Sequence, residues 1–282
     1  MTMNLVLQGP GASQSDLRRI ASLARPLRVF ELSAHALRCE QVDDSIVMRR
    51  AVETAAFAAR IDATFIDAAR SLADYRLVAM DMDSTLITIE CIDEIADMQG
   101  LKPQVSEITE AAMRGEIDFA ASLTRRVALL KGLDASALQR VYDERLQISM
   151  GGEAMLAGVK AAGLKTLLVS GGFTFFTERL QERLGLDYTN ANVLEVENGK
   201  LTGRVAGGIV DAEVKMQTVE RVCAQIGTGS GQAIVMGDGA NDLKMMGIAG
   251  LSVAFRAKPV VRAQAGVALN FSGLDGLLTI LG

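Results

Sequence analysis

Histidine is nearly absent from this chain: one residue, His35, in 282. A Ser-His-Asp relay or a histidine metal cluster would have to use that side chain. It lies in ELSAHALRCE, away from the chemical clusters described below, so it reads as a structural or surface residue. Cysteine is scarce as well. Cys39, Cys91 and Cys223 are odd in number and far apart, which fits neither a disulfide framework nor a zinc pattern. A reducing cytosol is the expected setting. No stretch reaches the ~18 consecutive apolar residues of a membrane span. No basic segment precedes a long apolar run at the N-terminus, so no secretory signal is expected. Positive charge is not in excess either: Lys and Arg number 29 against 34 Asp and Glu. That excludes the basic stripe of a nucleic-acid-binding protein.

What is present is apolar. Hydrophobic residues make up 49% of the chain, enough for a sizeable core. The length suits one large domain or two ordinary ones, and the pattern divides near residue 74. Residues 1–74 read as a small α+β domain. NLVLQG is a strand, a helix follows with Ser13 or Ser15 as its cap, LRVFELSAHALRCEQV supplies one or two strands, and an Ala-rich helix is expected from about Ile46 to Ala73. From Tyr75 onward, short apolar runs alternate with helices, the pattern of an α/β fold with a parallel sheet. Buried strands are expected at Leu77–Met80, Leu164–Val169 and Ala233–Met236. Residues 90–150 are helical throughout, with breaks near Gly100, Gly115 and Gly132, and form a cap inserted after the first of these strands. NVLEVENGKLTGRV reads as a hairpin turning at Asn198-Gly199.

Three strands end where small and polar residues begin: Asp81-Met82-Asp83-Ser84-Thr85, Ser170-Gly171-Gly172, and Gly237-Asp238-Gly239-Ala240-Asn241-Asp242. Ligands of open α/β sheets bind beyond the carboxyl ends of strands, so these ends are expected to converge. A single Asp at such a place is an ordinary cap or turn residue. Four of them, Asp81, Asp83, Asp238 and Asp242, would repel unless a cation joined them, and all-oxygen ligation suits magnesium. Ser170 offers a hydroxyl, and Gly171 and Gly172 would let backbone amides approach a phosphate at a helix start. Lys215 alone is a surface lysine; beside the other motifs it would offset charge on a transferring group.

DMDST, SGG, the helix-borne Lys215 and GDGANDLKM, in that order, resemble the four motifs of the haloacid dehalogenase-like hydrolases. ECIDEIA and FAASLTRRVALLKGL narrow the resemblance to the phosphoserine phosphatase branch, which carries out the last step of serine synthesis. The resemblance spans residues 75–282 and implies a Rossmann-like parallel sheet with a helical cap at about 90–150. It implies that Asp81 is the nucleophile, that Asp83 is the general acid and base, and that Asp81, the Asp83 carbonyl and Asp238 hold Mg2+. Ser170, Gly171, Lys215 and Asn241 would hold the phosphoryl group, with Asp242 supporting the metal's waters. Glu90 would meet the substrate ammonium and Arg126 its carboxylate; spacing alone does not choose Arg126 over Arg125. Phe119 and Met113 would line the pocket. The alternative is another small phosphomonoester, hydrolysed or transferred by the same Asp. The order of elements in residues 1–74 is similar to that of ACT-like modules, without their usual final strand, and implies an amino-acid effector site or a homodimer contact.

Overall fold

The computed structural model describes residues 2–113 and 116–282, without the Met113 side chain. The break expected at Gly115 and the pocket role expected of Met113 lie outside the described residues. The chain divides into two compact units, one of residues 1–78, 150–165 and 228–282, the other of residues 79–149 and 166–227.

The N-terminal block is built on β1 (Met3–Gln8), α1 (Gln14–Leu23), β2 (Arg28–Ser33), β3 (Ala36–Glu40), α2 (Ile46–Ala58) and β4 (Asp62–Asp67). Ser13 starts α1 by accepting the N–H of Asp16 on its hydroxyl, which satisfies one of the donors a helix start leaves open. The helix expected to run to Ala73 stops at Ala58. Arg60 turns into the left-handed region (φ 58°), and the next residues form a strand paired with β1 from Met3↔Asp67 to Gln8↔Asp62. Alanines on both sides hid this strand: Thr64, Phe65 and Ile66 have strand propensity, but only pairing with β1 separates them from a continuing helix. The order is therefore βαββαβ, with an antiparallel sheet in the order β2-β3-β1-β4. Leu5, Leu7, Leu17, Ile20, Leu37 and Val52 form its core and are fully buried.

Next in the chain come β5 (Leu77–Met80), buried throughout, and the helical insert: α3 (Cys91–Asp97), α4 (Lys102–Met113), α5 (Phe119–Leu129) and α6 (Ser136–Glu144). Then follow α7 (Gly152–Ala161), β6 (Lys165–Phe173), α8 (Thr174–Leu184), β7 (Tyr188–Glu197), β8 (Lys200–Ala206), α9 (Ala212–Gln225), β9 (Ala233–Gly237), α10 (Leu243–Gly247), β10 (Leu251–Phe255), α11 (Pro259–Arg262), β11 (Val267–Leu269) and α12 (Gly276–Leu281). This is the α/β class the sequence implied, preceded by a small antiparallel sheet.

Within the first unit, β9, β10 and β11 run parallel. The N-terminal sheet is tied to the segment after β11 by Asp62. Its buried carboxylate accepts the backbone N–H groups of Asn270, Phe271 and Ser272 at 2.7–3.3 Å. Removing that acceptor would leave three donors unpaired, at about 1–3 kcal/mol each. Arg38 adds bonds to the last carbonyls of α12, at Thr279 and Ile280.

Within the second unit, β6 pairs parallel with β7, and β7 antiparallel with β8 through a turn at Asn198 and Gly199, both at positive φ. The insert docks on β8: Gly132 N–H donates to Leu201 O, and Leu201 N–H to Leu133 O, both at 2.8 Å. Its helices are clamped by Glu94 of α3, which meets Lys102 at 3.1 Å and Arg145 at 2.5 Å. No helix among the described residues is long and apolar enough to cross a membrane.

Candidate active site

Asp81 follows the last residue of β5 and is almost completely buried. One carboxylate oxygen accepts the N–H of Met82 at 2.7 Å, and the other lies 2.7 Å from Lys215 Nζ. Lys215 is itself fully buried. Its helix, α9, is capped by Asp211, whose carboxylate accepts from Val214 N–H at 2.9 Å. This fixes Lys215 in the first turn of the helix. The ion pair is therefore dry and held from both ends, and breaking such a pair costs far more than breaking a surface one.

The chain after Asp81 makes a wide turn over Met82–Leu86 in which Ser84 takes a left-handed conformation (φ 55°), uncommon for a non-glycine residue. Two bonds hold it there: Ser84 N–H donates to Ile89 O at 3.2 Å, and its hydroxyl donates to Glu90 Oε1 at 2.6 Å. The turn thus sets the exposed Glu90 beside the strand end. Asp83 accepts the N–H of Cys91 at 3.2 Å. Burial, and then the charge of Glu90, push the Asp83 carboxyl up to about 7, against the pull of Cys91 and Lys215. A carboxyl there can hold a proton near neutral pH and also release it. Burial and Asp83 push the Cys91 thiol well up, which keeps it an inert filler. Cys39 and Cys223 are likewise free and buried.

Ser170, Gly171 and Gly172 are not at a helix start, as expected, but inside β6, which continues to Phe173; α8 begins at Thr174. The strand bulges there, its register against β7 shifting between Val169 and Phe173. Gly172 N–H is taken by the Ser170 hydroxyl at 2.8 Å, leaving the Ser170 hydrogen to donate elsewhere. Both glycines lie close against neighbouring side chains. A Cβ on Gly172 would come within 2.9 Å of Asp83 Oδ2 and 3.1 Å of Ser170 Oγ; one on Gly171 would lie 2.8 Å from Phe119 Cζ. The bulge is filled by Asn192, a residue that carries no motif signal. It is buried, donates to Gly171 O and accepts from Val210 N–H, each at 2.8 Å. It thereby couples the serine–glycine segment to the chain entering the helix of Lys215.

Phe119 and Arg126 come from α5. Arg125 on the same helix is exposed, whereas Arg126 is half-buried with its Nε fully enclosed and without a hydrogen-bond partner. Burial lowers the Arg126 pKa, while Asp93, Glu90 and Asp83 act to support its charge. Structure thus separates two adjacent arginines that spacing left equivalent. Asp93, on α3, was not singled out by its sequence; burial raises its carboxyl and Arg126 pulls it down.

The other residues expected at the site belong to the first unit. Asp238 follows β9 and is half-buried, Asn241 is half-buried, and Asp242 is fully buried. Asp242 Oδ2 accepts the N–H groups of Asp238 at 3.1 Å and Gly239 at 3.0 Å, fixing the loop that presents Asp238. Asp238 of this loop, like Asp81 and Asp83 of the second unit, offers a hard oxygen and no imidazole or thiolate, a donor type that suits a magnesium-sized cation.

A model of the haloacid dehalogenase-like hydrolases matches residues 78–247, from β5 through the Asp238–Asp242 loop into α10. The chain belongs to this family. As a haloacid dehalogenase-like hydrolase it has close relatives. A phosphoserine phosphatase of Polaromonas sp. is 56% identical over 215 residues, which are 74% of this chain and 91% of that one. A haloacid dehalogenase family hydrolase from Salmonella enterica serovar Typhi superposes with a TM-score of 0.90 at 31% identity, covering 100% of this chain and 99% of that one. A probable phosphoserine phosphatase from Vibrio cholerae, without ligand, gives a TM-score of 0.84 at 36% identity, covering 99% and 86%.

Proposed function

We propose that this haloacid dehalogenase-like hydrolase converts O-phospho-L-serine to L-serine and phosphate through an aspartyl-phosphate on Asp81, in the cytoplasm and with Mg2+ as its metal. The observation that carries the substrate is Arg126, a cation with a buried, unpartnered Nε in the same unit as the Asp81–Lys215 pair. The acidic Glu90, turned in by Ser84, supplies the opposite sign. A pocket for a zwitterionic amino acid needs one group of each sign, and guanidinium gives a carboxylate a two-pronged match.

In the first step an Asp81 oxygen attacks phosphorus. The bond from phosphorus to the serine oxygen breaks, and Asp83 gives its proton to that oxygen. In the second step a water oxygen attacks phosphorus, Asp83 takes the water's proton, and the bond to Asp81 breaks. Lys215, the Ser170 hydroxyl, the Gly171 amide and Asn241 would hold the phosphoryl oxygens. Mg2+, held by Asp81, the Asp83 carbonyl and Asp238, with Asp242 supporting its waters, would supply positive charge to the phosphoryl group. Residues 75–282 would carry the reaction and residues 1–74 would form a small α+β domain, packed in one compact unit with residues 150–165 and 228–282. The βαββαβ order supports that division, and a role for the module as amino-acid effector site or homodimer contact rests on that order alone.

Phosphate release from phosphoserine, phosphothreonine, phosphoethanolamine and sugar phosphates tests the reading. Phosphoserine is expected to have the highest kcat/KM, and Arg126→Ala to lower it about 100-fold while leaving p-nitrophenyl phosphate within about threefold. A sugar phosphate preferred over phosphoserine, or equal losses on both substrates in Arg126→Ala, would favour a different phosphomonoester.

A further inference from the structure

Phe119, Ser122 and Arg126 stand at positions i, i+3 and i+7 of α5, a spacing that places them on one face of the helix. The Phe119 ring rests against Gly171, so this face looks onto the serine–glycine segment of β6. Ser122, between the other two, is 1% exposed, and its hydroxyl has no hydrogen-bond partner. The large majority of buried side-chain polar atoms have one. A helical hydroxyl usually turns back to the carbonyl four residues earlier. Thr124 on the same helix does so, donating to Ala120 O at 2.8 Å, and Thr109 of α4 does so to Val105 O at 3.0 Å. Ser122 does not. Four residues further on, the Arg126 Nε is also buried and unpartnered. The unit therefore leaves two donors open, one helical turn apart, on the face that carries Phe119. Together they match a ligand with two acceptor oxygens on one carbon.

We propose that Ser122 is a specificity-determining residue whose hydroxyl donates to one oxygen of the substrate α-carboxylate while Arg126 binds the other. This rests on the phosphoserine reading above and adds to it a residue with no motif signal. It also accounts for a polar side chain at a position that helix packing alone would fill with alanine.

The test compares kcat/KM for phosphoserine with that for phosphoethanolamine, which has the same phosphate and ammonium but no carboxylate. Measurements cover the full-length Mg2+-loaded enzyme and its Ser122→Ala, Ser122→Cys, Arg126→Ala and Ser122→Ala/Arg126→Ala variants. Ser122→Ala is expected to lower phosphoserine kcat/KM about 10- to 100-fold, chiefly through KM, with phosphoethanolamine within about twofold. Ser122→Cys fills the same space with a weak donor and should lose the preference as well. The double variant should lose less than the product of the single losses, because both residues hold one carboxylate. Equal losses on the two substrates would assign Ser122 to packing and overturn the proposal. So would an unchanged preference in Ser122→Ala while Arg126→Ala abolishes it, and that result would leave the phosphoserine reading standing. If Arg126→Ala also leaves the preference intact, or the unaltered enzyme shows none, the phosphoserine reading itself fails.

Discussion

The residues proposed to handle phosphate and the α5 face differ in how their charges are satisfied. Asp81 and Lys215 are both buried and bonded to each other at 2.7 Å. The Ser170 hydroxyl already holds an amide, and the turn carrying Asp83 is pinned by Cys91 and Glu90. On α5, the Arg126 Nε and the Ser122 hydroxyl are enclosed without a hydrogen-bond partner. A group whose geometry must be right at the moment of bond breaking is preorganised by the protein. A group that recognises a substrate is left to be completed by it, since a binding site that already satisfies its own charges has less to gain from the ligand.

The comparison predicts opposite effects on stability. Asp81→Asn should lower turnover by at least about 10^4-fold, since it removes the proposed nucleophile. It should also destabilise the fold by about 3–5 kcal/mol, because Lys215 keeps its charge while losing this partner. Urea unfolding beside phosphate release separates the two losses. Adding Lys215→Met to Asp81→Asn should recover stability without recovering turnover; if stability stays low, the ion pair is not what the fold depends on there. Arg126→Met should behave in the reverse sense. Phosphoserine turnover falls, but removing a half-buried cation whose Nε has no hydrogen-bond partner should leave stability unchanged or raise it by about 1 kcal/mol, or about 2–4 °C in Tm. A marked drop in Tm would show that Arg126 is a structural charge, and the contrast between the two regions would fail.

The smallest effect concerns a charge cluster closed within the insert. Burial alone would raise Glu94, but its bonds to Arg145 and Lys102 outweigh it and hold its carboxyl below the ordinary value of 4.5. A carboxyl depressed in the folded state binds protons more weakly there than in the unfolded chain. Its contribution is present above pH 4.5 and is lost as pH falls through 4.5 towards the folded value. Glu94→Gln should therefore lose about 0.5–1 kcal/mol at pH 7 and converge on the unaltered protein at acid pH, as read by urea unfolding at both. A difference independent of pH would mean that the clamp acts by packing.

The sequence was most informative where local chemistry is sufficient. Buried strands announce themselves as apolar runs, Asn198-Gly199 is a hairpin turn whatever surrounds it, and an Asp at a strand end before small residues marks a loop that can carry chemistry. It was least informative where partners are distant in the chain. β4 lies among alanines and is a strand because β1 pairs with it. Asn192 matters because a bulge in β6 needs its amide. Arg126 and Arg125 are neighbours with the same side chain, and only the burial of one face of α5 leaves one half-buried and the other an exposed charge.

By itself, then, the sequence determined the fold class, the order of the motifs and the residue types available for phosphoryl chemistry, because these depend on short-range pattern and on side-chain identity. Tertiary structure decided which of those groups are buried, which are paired and which are left open. Burial and pairing arise when residues as far apart as 81 and 215, or 171 and 192, are brought within hydrogen-bond reach, and no local pattern in the chain encodes that distance.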